Sequence, residues 1–137
     1  MRNWYKSQEQ RRKTKDKRPE RMHNFRKLDI WLKSMDLVVE IYQLTNTFPN
    51  NEKFGLSSQM NRSAVSIPSN IAEGSAKSSN KDFARFLEMS IGSSYELETE
   101  LTIASKLNYI GFDVFALLQN KIVEIQKMII GFKNKLD

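Results

Sequence analysis

The sequence predicts an all-α fold, an up-down-up-down antiparallel four-helix bundle with a basic, disordered N-terminal arm. Three observations predict it. Apolar residues recur at steps of three and four through four segments, helix breakers separate those segments, and no run competes for a strand. Short loops between four such helices make antiparallel neighbours the simplest packing. At 137 residues the chain can bury one core but not two, so residues 25–137 are expected to form a single bundle and residues 1–24 the arm.

The first helix is expected between Leu28 and Phe48. Leu28, Trp31, Leu32, Met35, Val38, Val39 and Tyr42 fall on one face. Ile30, Leu37, Ile41, Leu44 and Phe48 make a second, adjacent stripe, so this helix should bury more than one side. Phe48-Pro49-Asn50-Asn51 ends it, because proline disfavours helical geometry in the residue before it. The second helix should run from Leu56 to Glu73 with Leu56, Met60, Ser63, Ile67 and Ile71 inward. Its serines and alanines make it thin enough for close approach, Gly74 is placed to terminate it, and Pro68 in its middle should kink it.

Ser79 followed by Asp82 resembles a capping box and opens a third helix running to about Leu107. Its seam is Phe83, Leu87, Ser90, Ser94, Leu97, Leu101 and Ala104, with Gly111 closing it. Asp113 can cap a fourth helix whose seam is Phe115, Leu118, Ile122, Ile125, Ile129, Phe132 and Leu136.

Several chemistries are closed by composition. There is no cysteine, hence no disulfide, thiolate nucleophile or thiolate metal site. The five glycines are isolated, so no phosphate-cradling loop exists, and the single histidine, His23, has no nucleophile arranged around it. No apolar run approaches the ~20 residues that span a bilayer, and the N-terminus lacks the apolar middle of a secretory signal, so a soluble cytoplasmic protein is expected. No catalysis, cofactor, metal or small-molecule substrate is expected. Glu96, Glu98 and Glu100 do not form one constellation, because successive helical residues turn by about 100°. Glu98 shares the side of Ser94 and Leu101 and should be partly buried, with Arg62 or Asn61 as its partner; the alternative is solvated glutamates.

Charge is unevenly placed. Residues 1–24 hold nine Lys or Arg against three carboxylates, whereas the rest of the chain holds 13 of each sign. The arm reads as a phosphate-binding tail or as a solubilising leader, and Met22 offers an alternative translation start. Up-down topology would gather Arg26, Lys27, Lys77, Lys81, Arg85, Lys133 and Lys135 at one pole, with the arm attached there. That pole is the candidate nucleic-acid interface. The fourth helix adds Ala116, Val123 and Ile130 one position past its seam, widened by Val114, Leu117 and Met128. With the second stripe of the first helix, this is more apolar surface than one bundle can hide, and self-association is its expected use.

Three segments carry a family resemblance: FRKLDIW at Phe25–Trp31, FPNNEKFGLSSQMNRSAVSIPSNIAEGSAKSS at Phe48–Ser79 and FLEMSIGSSYELETEL at Phe86–Leu101. The chain resembles the bundle proteins encoded by intervening sequences of bacterial 23S ribosomal RNA genes, the S23 family. The resemblance implies an up-down bundle and a homopentamer. It also implies similarity to the accessory variability protein of diversity-generating retroelements, which binds nucleic acid and a reverse transcriptase. The family's SIPSNIAEG falls on Ser66–Gly74, its Glu-Leu pair on Glu96 and Leu97, and both look structural. Asn61-Arg62 stands where the family has two arginines, and the leader before Met22 lies outside the family pattern. The expectation is a homo-oligomer that associates with RNA, the rival being a scaffold that docks a protein partner such as a reverse transcriptase.

Overall fold

The computed structural model describes residues 23–136, and the arm before His23 lies outside them. Four helices make up the described chain: α1 (Asp29–Thr45), α2 (Leu56–Ser75), α3 (Asn80–Lys106) and α4 (Phe112–Asn134). Two single-turn 3₁₀ segments, Phe25–Lys27 and Asn50–Glu52, precede α1 and α2, and no strand occurs among the described residues. Backbones approach closely between α1 and α2, α2 and α3, α3 and α4, and α4 and α1, but not across either diagonal. This is a closed square of antiparallel helices.

The ends of the helices follow local chemistry. The Ser79 hydroxyl accepts the Asp82 N–H at 3.1 Å and caps α3, while the Asp82 carboxylate turns to Arg85. At the far end Asn108 adopts the left-handed conformation, φ 63°, with Tyr109 N–H reaching the Ala104 carbonyl and Asn108 N–H that of Ser105, each at 3.0 Å. That paired arrangement satisfies two orphan carbonyls and stops the helix. Gly111, expected to close α3, instead sits at the N-cap of α4, and Asp113 lies inside the first turn without capping it. There its charge still suits the positive end of the helix dipole. Helix α1 stops at Thr45, three residues before Phe48, whose ring is buried beside Tyr109.

The seams of α2 and α3 are as expected. Leu56, Met60, Ser63, Ile67 and Ile71 are buried, and so are all seven seam positions of α3. In α4, Leu118, Ile122, Ile125 and Ile129 are buried, as is Leu136 just past its end, whereas Phe115 and Phe132 are half-buried. Helix α1 differs. Its second stripe, Ile30, Leu37 and Ile41, enters the core together with Ser34 and Thr45, and Leu32, Met35, Val39 and Tyr42 stay outside. Both stripes have helical period, so periodicity does not choose between them. Contact with α2 and α4 does.

The closest union in the square is α2 against α3. The buried Ser90 hydroxyl donates to the Ile67 carbonyl at 2.9 Å, and Ser66 and Ser93 share a hydrogen bond at 2.8 Å. Helix α2 runs unbroken through Pro68, which is buried. Gly74 does not terminate it. The residue is helical and buried, and a Cβ placed there would lie 2.6 Å from the Phe86 Cβ and 2.9 Å from the Phe83 ring. It is glycine because α3 occupies the space a side chain would take.

Replacing Gly74 by alanine tests this. In an open helix that change would stabilise by about 1 kcal/mol. Here overpacking should reverse the sign and cost ~1–3 kcal/mol, read as a lower midpoint in urea unfolding with unchanged slope.

Candidate nucleic-acid interface

One pole of the bundle is assembled from the start of the described chain, the α2–α3 turn and the end of α4. Its centre is aromatic. His23, assigned to the arm by sequence, packs between Phe83 and Phe132 with ring centroids 5.5 and 5.4 Å away, and the two phenyl rings are 5.6 Å apart. Asn80 donates its amide to the Leu136 carbonyl at 2.6 Å, tying the start of α3 to the end of the chain. Asn24 caps the first 3₁₀ turn by accepting the Arg26 N–H. The pole is thus a built surface rather than a collection of loose ends.

Its seven basic residues fall into two groups. Arg26 stacks on the Phe25 ring at 4.2 Å and bonds the Asn24 side chain, and Lys77 lies over the Phe86 ring at 4.8 Å. Arg85 pairs with Asp82 at 3.1 Å and Lys133 with Glu88 at 3.0 Å. These four already have partners within the bundle. Lys27, Lys81 and Lys135 are exposed and have no ion-pair partner among the described residues. They come from three different elements and are the cations most available to a phosphate.

The apolar band is present on two flanks. On α1, Leu32, Met35, Val39 (56% exposed) and Tyr42 form the outer stripe, turned away from Lys33 and Glu40, which face α4. On α4, Ile130 is 38% exposed and Ala116 and Val123 are half-buried, alongside Gln119 and Gln126, which face α3. Val114 and Leu117 are also exposed.

The three glutamates of α3 separate. Glu98 is half-buried, but its partners are not on α2: Gln126 donates to it at 2.9 Å and Gln119 at 3.5 Å, both from α4. Arg62 is exposed on the other side of α2, and Asn61 accepts from the Thr45 hydroxyl at 2.9 Å. The sequence-based pairing missed because Glu98 lies on the α4 edge of α3, whereas Ser90 and Ser93 mark its α2 edge. Polar Gln119 and Gln126, seven residues apart beside the α4 seam, were the available signal. Glu96 is exposed. Glu100 has its Oε1 buried without a hydrogen-bond partner; burial raises its pKa, the Ser63 hydroxyl offsets part of that, and the Glu96 charge adds to it. Across the α1–α4 seam Lys33 pairs with Glu124 and Lys121 with Glu40 at 2.8 Å. Hydrogen bonding and charge raise the pKa of Lys33 and lower that of Glu124.

Among the described residues no cluster of three or more His, Cys, Asp or Glu side chains could hold a metal ion, and no helix is long and apolar enough to cross a membrane. Residues 26–131, the whole bundle but its last few residues, match the 23S rRNA-intervening sequence protein family. The chain belongs to that family. A similar solved structure is a protein of unknown function from the S23 ribosomal protein family of Bacteroides thetaiotaomicron. It is 29% identical over 77% of this chain and 96% of that one, with a TM-score of 0.72. No curated protein matches the chain.

The Glu100 carboxyl supplies a pH test. A raised folded-state pKa means that the folded protein holds the proton more tightly, so stability falls as pH rises from the ordinary value of 4.5 through the raised one. Glu100→Gln should therefore unfold at higher urea than the wild type at about pH 7, and the gap should close at about pH 4. A gap of equal size at both pH values would show that the carboxylate carries no burial penalty.

Proposed function

We propose that the chain is a non-enzymatic, self-assembling bundle that associates with RNA through its basic pole. The observation that carries this reading is the trio Lys27, Lys81 and Lys135, exposed at one pole on the first 3₁₀ turn, on α3 and just past α4, without carboxylate partners among the described residues. Seen from one subunit this is a modest patch. Repeated around an assembly, it becomes a surface whose affinity comes from valence.

The two apolar flanks support the assembly. The outer stripe of α1 and the Ala116–Val123–Ile130 strip of α4 occupy different sides of the bundle, so they are not one self-matching patch. Contact between unlike patches is head-to-tail, and such contacts close into rings when the rotation permits. Five copies is the number the family resemblance implies. Binding by unpaired lysines reads phosphate rather than base edges and should show little sequence preference.

Two measurements test this reading. Light scattering on the full chain should report an oligomer, and Val39→Glu or Ile130→Glu should shift it toward single subunits with helicity retained. A wild type that stays single at high concentration would favour the rival reading, in which the α1 stripe docks a protein partner. RNA titration at two salt concentrations should show affinity falling steeply with salt. Replacing Lys27, Lys81 and Lys135 together by alanine should reduce the log–log slope by about 2, at ~0.7 per phosphate on single strands, for each subunit engaged. Binding indifferent to salt would remove the reading.

A further inference from the structure

The opposite pole, where α1 ends and α2 begins, holds a groove of about 770 Å³ that the basic-pole reading leaves unused. Tyr42, at the end of the α1 outer stripe, lines it together with Val65 and Phe54. Phe54 is 90% exposed, far more than any half-buried position of the apolar flanks. A phenyl ring left in water forfeits ~2 kcal/mol of burial, so a ring this exposed marks a contact surface. Its backbone is pinned on both sides: Lys53 N–H bonds the Asn50 carbonyl at 3.2 Å and Gly55 N–H the Glu52 carbonyl at 3.0 Å. The turn thus fixes the backbone from which the ring projects.

The chemistry around the ring is one-sided. Lys53 lies over it with Nζ 5.5 Å from the centroid, Arg62 lines the groove, and no carboxylate does. Glu52, adjacent in sequence, is engaged elsewhere: the Tyr109 hydroxyl donates to it at 2.9 Å and the Leu56 N–H at 3.4 Å. Asn61 also lines the groove. Its oxygen is taken by the Thr45 hydroxyl, so what it offers an occupant is its amide N–H donors. An exposed ring, two cations with no carboxylate partner among the described residues and amide donors match the three parts of a nucleotide: base ring, phosphate and base carbonyl. An acidic peptide would use the cations and leave the ring idle. A second copy of this chain would leave two cations and an amide facing an interface with no counter-charge supplied by the groove.

We propose that this groove is a stacking site for single-stranded RNA, with a base on Phe54, its phosphates on Lys53 and Arg62, and a base carbonyl on Asn61. The proposal rests on the RNA reading above and adds to it a base-dependent contact at the pole opposite the three exposed lysines. It makes the protein a binder of unpaired rather than duplex RNA, because a base stacked in a helix cannot reach Phe54.

The test is fluorescence anisotropy on the full chain with two labelled probes of equal charge. One is an oligouridine of about 12 nucleotides and the other the matching abasic ribose-phosphate chain. Phe54→Ala should weaken oligouridine binding by about tenfold, the size expected of one lost stack, and leave the abasic chain unchanged. Phe54→Trp should retain the difference between probes, and Phe54→Leu should lose it. Arg62→Ala should lower the salt slope on both probes by about 0.7. Equal affinity of the wild type for both probes would overturn this site while leaving the basic-pole reading intact. Failure to bind either probe would overturn both. Loss of assembly by Phe54→Ala in light scattering would overturn it too, since the ring would then belong to a subunit contact.

Discussion

Helices α2 and α3 lie as close as they do because small residues occupy the places where their backbones meet. Gly74 leaves the space into which Phe83 and Phe86 fit, and further along the two helices Ser66 and Ser93 share a hydrogen bond while Ser90 donates to the Ile67 carbonyl, where larger groups would hold the backbones apart. The constraint propagates. With α3 drawn against α2, Phe83 is carried to the pole where it meets His23 and Phe132, and the ends of three elements are fixed relative to each other. The positions of Lys27, Lys81 and Lys135 follow from that, so the candidate interface depends on a contact that contains no charge.

The other seams are made differently. Between α1 and α4 two lysine–glutamate pairs bridge the helices, Lys33 with Glu124 and Lys121 with Glu40. These side chains are partly in solvent, where screening leaves such pairs a weak contribution to stability. The square therefore has one tight side and one side linked by partly solvated charges. An outer stripe such as Leu32, Met35, Val39 and Tyr42 on α1 is the kind of surface a neighbouring subunit could cover, and covering it would also brace the looser seam.

The two poles have different chemistry for a physical reason. At one, the aromatic residues Phe83, Phe132 and His23 are packed against each other, and three lysines are left outside. At the other, Phe48 is inside against Tyr109 while the short turn before α2 pushes Phe54 out between Lys53 and Gly55. Flexible cations around a packed ring cluster suit phosphate alone. An exposed ring beside cations suits a base as well.

By itself the sequence determined the class of the fold, the four helices and the whole seam of α3, because in a helix with a single apolar stripe only one face can go inward. It also determined the Ser79 cap, which is a matter of local order. Three things were left to the tertiary structure. Helix α1 has two apolar stripes of the same period, and only its neighbours decide which is core. Gly74 reads locally as a stop signal, but the approach of α3 makes it a spacer within the helix. The partner of Glu98 depends on which flank of α3 faces α4, and helical spacing carries no information about that. The same applies to Phe54 and Arg62, eight residues apart in sequence, which line one groove only in the folded chain. Periodicity records where residues lie around one axis, whereas a site forms between axes.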